Sequence, residues 1–439
     1  MIPAVKNNPV VIRAWATYDL ANSVYNLVIT ATIFPIYYSL VTTTTNGQGA
    51  ESSLVDFWGM KLQNTALYDW AISLSYLIVC LLMPVLSGVA DFGGNKKSFM
   101  KFFCYLGSAS CFALYFFDSG NLGFGLLMAM LACIGFAGSL VFYNAYLPEI
   151  ATPDLHNKVS ARGFSMGYWG SAILLMICLG MILTRETGGE KMLMMRYAFA
   201  MAGIWWFAFA QIPFYYLPET KRNVSTSRLP LAKGFQELKM VASQIRNFPN
   251  LKNFLLAFFL YSMGVQTVML VANHFGKNEI KMESGQLITT ILIIQFVAIA
   301  GAYLFSFLSE KLGNISVLKL ATLAWALICG GTFLFVFTAV DFYVVAALVG
   351  LVMGGIQSLS RSTYSRLLPE TDDHASYFSF YDVCEKLSIV LGMAIFGIFN
   401  QISQTMRTPI VVLVLFFMAG FLLLFRVRNN LKSDLSHAR

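Results

Sequence analysis

The chain has 439 residues, of which 57% are hydrophobic and only 12% are charged. Soluble domains carry about a quarter charged residues, so this apolar content excludes an ordinary soluble protein and requires lipid as part of the solvent. Backbone groups in lipid must be hydrogen-bonded within each spanning segment, and the long unbroken apolar runs fit helices better than alternating barrel strands. The net charge of +8 is explained by lysines and arginines in the predicted loops between helices, which argues against nucleic-acid binding.

The apolar runs predict twelve membrane-spanning helices in two groups of six, since a crossing takes about 20 residues. The first six are predicted at Tyr18–Val41, Asn64–Val89, Ser98–Phe117, Leu122–Leu147, Ala161–Leu183 and Met195–Leu217. The second six are predicted at Leu251–Ala272, Gly285–Leu308, Ser316–Ala339, Phe342–Leu367, Tyr377–Asn400 and Thr408–Arg426. We therefore predict an all-α integral membrane protein with two pseudo-symmetric six-helix bundles, residues 1–217 and 251–439.

Residues 218–250 form the predicted linker between the bundles. Apolar residues recur in it at steps of four and three, while basic residues occupy other faces: Leu231, Phe235, Leu238, Ala242 and Ile245 against Lys233, Lys239 and Arg246. This pattern is typical of an amphipathic helix that lies on an anionic membrane surface. We expect such an interfacial helix within a cytoplasmic linker.

Basic residues set the expected orientation. Placing both termini in the cytoplasm puts most of the 30 lysines and arginines on the inner side, as the positive-inside rule requires. The N-terminal segment lacks a cleavable signal pattern and is expected to remain as the first helix. We expect a multi-pass monomer in the inner membrane.

The two halves carry related segments, as internal duplication in transporters predicts. The segment SGVADFGGNKKSF after the second span has a counterpart, SFLSEKLGNISVL, after the eighth, which matches Asp91 with Glu310. Likewise YNAYLPEI matches YSRLLPET, so that Glu149 corresponds to Glu370. A duplicated six-helix unit is the simplest account.

The turn from Gly88 to Asp91, followed by Lys96 and Lys97, resembles the signature loop of the major facilitator superfamily. That resemblance implies that the acid and the bases lock helix ends together in one state of the transport cycle. Further motifs resemble the vacuole-effluxer-like family, named after a fungal autophagy-related vacuolar amino-acid exporter: YDLANSVY, YNAYLPEIATP, YSMGVQTV, GGIQSLSRSTYSRLLPE and YFSFYDVCEK. Ser262 and Met263 stand where family members often carry Asn-Asp, so a carboxylate of the family is absent there.

A polar stripe is predicted on the first helix, where spacings of three, four, seven and eleven residues align one face: Asp19, Asn22, Ser23, Asn26 and Thr30. Such a face is expected to line a water-filled path for solute or protons. The alternative is that Asp19 lies near the membrane boundary and pairs with a basic loop.

Three charges lie within the eleventh helix: Asp382, Glu385 and Lys386. Ionisable groups at membrane depth are costly, and each is a functional hypothesis by default. Asp382 and Lys386 have i, i+4 spacing and can neutralise each other, so the alternative is a structural ion pair. We expect the cluster, with Tyr261 and Gln266 of the seventh helix, to form part of the solute or proton pathway.

A second group is expected to act in gating at cytoplasmic helix ends: Gly88, Asp91, Lys96, Lys97, Glu149, Arg162, Arg361, Arg366 and Glu370. The four histidines are scattered and no nucleophile motif or phosphate loop is visible, so we expect no metal, no cofactor and no enzyme activity.

The sequence thus favours secondary active transport of a small polar solute by alternating access. An amino acid or small peptide is expected as cargo and protons as the coupling ion. The alternatives are a non-transporting receptor or scaffold on the same fold, and an exporter of another small metabolite or drug. A lipid-modifying membrane enzyme is the remaining, weaker alternative.

Overall fold

The computed structural model describes residues 6–45, 51–57, 59–219, 231–403 and 405–428. Within them, ten helices are long and apolar enough to cross a membrane. We number these α1 to α10: Pro9–Thr42, Asn64–Gly93, Lys96–Phe116, Leu122–Ile150, His156–Leu183, Gly188–Tyr216, Pro249–Asn278, Gly285–Leu312, Asn314–Phe335 and Ala339–Leu367. The helices α11 (His374–Ser403) and α12 (Thr408–Leu424) follow. The predicted all-α fold is confirmed, and most helices extend beyond the predicted apolar runs.

The helix α1 is not uniform along its length. It is α-helical over Pro9–Val24, π-helical over Tyr25–Ile33 and α-helical again over Phe34–Thr42. Pro35 has no N–H and cannot donate to the preceding turn, so the backbone pattern must change close to it. The π segment widens the turn, and the 3.6-residue periodicity behind the predicted stripe therefore does not continue through Asn26 and Thr30.

Two short antiparallel hairpins follow α1, which the sequence analysis did not predict. Thr44–Thr45 pairs with Glu51–Ser52, and Leu54–Phe57 pairs with Met60–Gln63. In the second hairpin the backbone N–H of Gly59, which has a positive φ of 79°, donates to Asp56 Oδ1 at 3.0 Å. The hairpins lie before α2, on the side of the bundle opposite to the start of α1 and the end of α12.

The linker contains a helix at Leu231–Asn247, here called the linker helix. Val241 and Ile245 are buried, and the helix packs on α2, α7 and α11. The hydroxyl of Tyr377 in α11 donates to Gln244 Oε1 at 2.6 Å. The C-terminal part of the linker helix therefore packs against both halves, while its expected contact with lipid remains a prediction.

Odd-numbered helices begin, and even-numbered helices end, on one side of the bundle, here called the terminal face. The backbone N–H of Arg428 donates to Asn250 Oδ1 at 3.0 Å, which places the end of α12 beside the start of α7. The two halves meet where α2, α4 and α5 pack against α8, α10 and α11. These six helices carry most of the charged residues described below.

Candidate functional site

The charged residues of α11 form a connected triad. Lys386 Nζ lies 3.2 Å from Asp382 Oδ1 and 2.9 Å from Glu385 Oε2. Lys386 and Asp382 are buried, whereas a quarter of the Glu385 side chain is exposed. Gln266 of α7 donates to the second oxygen of Glu385 at 3.1 Å. Lys386 therefore pairs with two carboxylates, and one of them, Glu385, is partly exposed.

The triad faces the other half of the molecule. α11 packs on α2 and α4 of the N-terminal bundle as well as on α7 of its own. Tyr76 and Cys80 of α2 and Cys133 of α4 are near enough to Lys386 to interact with it electrostatically. Lys386 is twelve residues into α11, roughly 18 Å from the terminal face, so the triad lies deep between the halves.

A second buried ion pair joins the halves nearer to the terminal face. Arg361 of α10 donates to Asp19 Oδ2 of α1 from Nη1 at 3.1 Å and from Nη2 at 3.2 Å. The Tyr143 hydroxyl donates to the same oxygen at 2.7 Å. Arg361 also donates from Nε to Ser160 Oγ at 3.0 Å, and its Nη1 is 3.3 Å from Asn144 Oδ1. Asp19, predicted in the solute pathway, is thus bound to a residue predicted in the gate.

Aromatic rings and one glycine shape the place that Arg361 occupies. The guanidinium carbon is 4.2 Å from the Phe164 ring centroid and 4.8 Å from that of Trp15, which favours a buried cation. Gly163 of α5 lies against the pair, since a Cβ there would be 2.4 Å from Asp19 Oδ2. A side chain at this position would push the ion pair apart.

At the terminal face itself, Asp91 caps a helix of the other half. Its two carboxylate oxygens accept from the backbone N–H groups of Ser376 at 2.7 Å and Ala375 at 3.2 Å, in the first turn of α11. A carboxylate at a helix N-terminus satisfies donors that lack helical partners and meets the positive end of the helix dipole. Gly94, with a φ of 65°, ends α2 and lets the chain turn directly after Asp91.

Lys96, Glu149 and His374 extend this contact. Lys96 forms an ion pair with Glu149 and lies 3.7 Å from Asp91. His374 Nδ1, at the start of α11, is 3.2 Å from Glu149 Oε1. Glu149 therefore links α3 and α4 to the C-terminal half. Its repeat counterpart Glu370 is exposed and has no partner among the described residues.

A network centred on amide side chains joins the halves on the other side of the terminal face. The Asn157 amide of α5 donates to Ser309 Oγ at 2.7 Å and to Asn314 Oδ1 at 2.8 Å. Arg366 donates to the same Asn314 oxygen at 3.2 Å and to the Asp154 carbonyl at 3.2 Å. Lys158 and Glu310 add an exposed pair at 3.2 Å. Ionic contacts on one side and amide contacts on the other hold the halves together here, so this conformation is closed at the terminal face.

The remaining predicted residues occupy varied positions. Lys97 donates to the Leu217 carbonyl at 2.9 Å and thus stays within the N-terminal half. Gly88 and Asn22 are buried, and Asn26 is exposed. Ser23 lies against Gly167. Tyr261 shares a hydrogen bond with Ser360 Oγ at 2.7 Å. Arg162 is exposed and has no hydrogen bond to the described residues. Their assignments to pathway and gate remain predictions.

Neutralising the cap is expected to open the terminal face. Asp91→Asn removes the negative charge at the start of α11, so the closed conformation should lose population. The measurement is maleimide labelling of Ser358→Cys, which is buried against α5, in a background without native cysteines. Glu310→Gln, the exposed repeat counterpart, is the matched control and should change little. Equal labelling of Asp91→Asn and Glu310→Gln would show that the Asp91 cap does not hold the terminal face closed.

A family model and several known proteins are similar to this chain over most of its length. The profile of the family described as "Vacuole effluxer Atg22 like" matches residues 7–433. The MFS-type transporter YxiO of Bacillus subtilis (strain 168) is 30% identical over 97% of this chain and 96% of its own. Autophagy-related protein 22 of Yarrowia lipolytica is 23% identical over 81% of this chain and 74% of its own.

Solved structures show the same fold. The proton:xylose symporter XylE aligns with a TM-score of 0.71 at 12% identity, over 95% of both chains. The transporter FucP in its outward conformation aligns with a TM-score of 0.67 at 14% identity, over 98% of this chain and 99% of its own. The match to the family model and to the MFS-type transporter YxiO places the chain among multi-pass membrane transporters of the major facilitator type, which are not enzymes. Within that class, the chain belongs to the Atg22-like vacuole effluxer family.

Proposed function

We propose that the protein is a secondary active transporter for a small zwitterionic solute, either an amino acid or a small peptide. One observation carries the proposal: Lys386 is buried between the halves beside two carboxylates, of which Glu385 is partly exposed. A buried ion pair seldom adds net stability, so two carboxylates around one lysine are poorly explained as scaffolding. A solute with one positive and one negative end matches this arrangement.

The exchange of partners within the triad follows from its geometry. A solute carboxylate takes the place of Glu385 on Lys386, and the released Glu385 receives the solute ammonium. Gln266, which donates to Glu385 in this conformation, holds its other oxygen in position. Each charge of the solute then replaces an interaction already present, which keeps the desolvation cost of binding low.

The proposed proton coupling depends on Asp382, the third residue of the triad. With all three groups ionised, two carboxylates and one ammonium leave one excess negative charge in a buried place, which is costly. Asp382 Oδ2 is buried and has no hydrogen-bond partner in the described structure. We assign the coupling proton to Asp382 and the solute ammonium to Glu385. XylE, whose structure shares this fold, is named as a proton symporter, and this supports the assignment.

The proposed cycle is rocking of two bodies, residues 1–217 and 251–439, joined by residues 218–250. The terminal face is assigned to the cytoplasm of a bacterial inner membrane, and the chain acts as a monomer. We infer that the triad is reached from the opposite face in this conformation and that opening the contacts of Asp91 and Arg361 exposes it to the cytoplasm. The family description as an effluxer favours export as the working direction.

Counterflow in proteoliposomes tests this proposal against a receptor or scaffold. Vesicles loaded with a panel of unlabelled amino acids, dipeptides, sugars and nucleosides are diluted into the same solute in labelled form. A transporter concentrates the label of its own solute class transiently, whereas a receptor or scaffold gives none. Accumulation limited to sugars or nucleosides would instead support the alternative cargo.

A further inference from the structure

The C-terminal bundle contains an apolar chamber. Its walls come from α7, α8, α9, α10, α11 and α12, and Leu27 and Ala31 of α1 cover one side. Most of the wall comes from the C-terminal bundle, the chamber meets the opposite half at Leu27 and Ala31, and none of the three triad residues lines it. No charged residue is among those that line it.

Two buried polar groups in the chamber wall lack partners. The carboxamide oxygen of Gln295 and the indole N–H of Trp325 have no hydrogen bond in the described structure. Both residues line the chamber, and they are 6% and 0% exposed, respectively. Leaving a buried donor or acceptor unpaired is costly, so the chamber favours an occupant that can satisfy these groups.

The chemistry of the wall selects the occupant. An indole N–H only donates and a carboxamide oxygen only accepts, so an occupant must offer an acceptor to Trp325 and a donor to Gln295. A hydroxyl group is both. The absence of charged lining residues disfavours an ion, since its desolvation would not be offset. Phe342 and Phe396 add aromatic surface suited to a flat ring.

We propose that this chamber is a second binding site, separate from the triad, for small uncharged aromatic alcohols of the phenol class. Its volume of about 100 Å³ is of the order of an engineered protein cavity of about 150 Å³ that binds benzene. Leu27 and Ala31 belong to the π-helical segment of the opposite half, so the complete chamber exists only while the halves are arranged as here. An occupant therefore stabilises this conformation and slows the transport cycle.

Isothermal titration calorimetry of the purified protein with phenol, at pH 7 where phenol is uncharged, tests the proposal. Benzene is the matched probe without the hydroxyl. Gln295→Leu keeps nearly the size of its side chain, and Trp325→Phe keeps a ring to stack on Phe417 while removing the indole N–H. Each is expected to weaken phenol binding about three- to tenfold relative to benzene binding by the same variant.

Lys386→Met separates this site from the triad. Phenol binding should be the same in Lys386→Met as in the wild type, and phenol should slow counterflow in the wild type. No phenol binding, or equal binding in the wild type, Gln295→Leu and Trp325→Phe, would overturn the proposal. Loss of phenol binding in Lys386→Met would place the probe at the triad and would also overturn it, while leaving the proposed transport function standing.

Discussion

Lys386→Met is expected to reduce solute counterflow by about one to two orders of magnitude while the protein still folds and inserts. The methionine keeps the length and apolar packing of the stem. The two carboxylates left behind can take up protons, so the folded state need not hold an uncompensated charge. What disappears is the cation that binds the solute carboxylate, an interaction of about 1.5–3 kcal/mol. Initial rates of counterflow at equal protein per vesicle measure the loss.

Two further variants sharpen this result. Lys386→Arg should restore flux poorly, because a planar guanidinium cannot take the position of a compact ammonium between Asp382 and Glu385. Lys311→Met, which removes an exposed lysine of α8, is the matched control and should transport at the wild-type rate. Wild-type flux in Lys386→Met would show that the lysine does not bind the solute.

A purely structural role for the triad would give a different result for folding and flux. If Lys386→Met fails to fold, the double variant Lys386→Met with Asp382→Asn removes one unpaired carboxylate at the same time. Recovery of both folding and flux in the double variant would mean that Asp382 and Lys386 are only an internal ion pair. Recovery of folding without flux would support solute binding by the lysine.

Asp19→Asn is expected to produce the largest change in conformation. Removing one partner of a buried ion pair leaves the other uncompensated, at a cost of about 3–5 kcal/mol. Arg361 can regain water only if the halves separate at the terminal face, so the cost falls on the closed conformation. We expect a shift of about 100-fold or more towards the open conformation, measured as faster maleimide labelling of Ser358→Cys.

The chain offers both a control and a rescue for this experiment. Lys158→Gln breaks another ion pair between the halves, but an exposed one, and should leave labelling nearly unchanged. Asp19→Asn with Arg361→Gln removes both charges and should return labelling towards the wild-type rate. If Asp19→Asn alone labels as slowly as the wild type, the buried pair does not hold the terminal face closed.

Much of the fold could be predicted because hydropathy and helix length are local properties of the chain. The charge triad was equally accessible, since its three residues lie within five positions of one helix. The pairing of Asp19 with Arg361 was not, because the two residues are 342 positions apart and meet only when the halves pack. Sequence reasoning placed one in the pathway and the other in the gate.

Internal repeats were informative about architecture and less so about role. Glu149 and Glu370 are equivalent in the repeat, yet Glu149 is half-buried, with Lys96 and His374 as partners, whereas Glu370 is exposed. Repeat equivalence cannot show which partners the opposite half supplies. The π segment of α1 was missed for a different reason, since the stripe through Asn26 assumed a regular helix and Pro35 was not taken as a break.

Counterflow of one solute and its two singly charged analogues tests the central claim most directly. For an amino acid identified by the panel, the analogues are the corresponding acid without its amino group and the corresponding amide without its carboxylate. If Lys386 and Glu385 bind the two ends of a zwitterion, the intact solute exchanges and each analogue loses at least about tenfold in initial rate. Equal exchange of all three compounds would contradict the account.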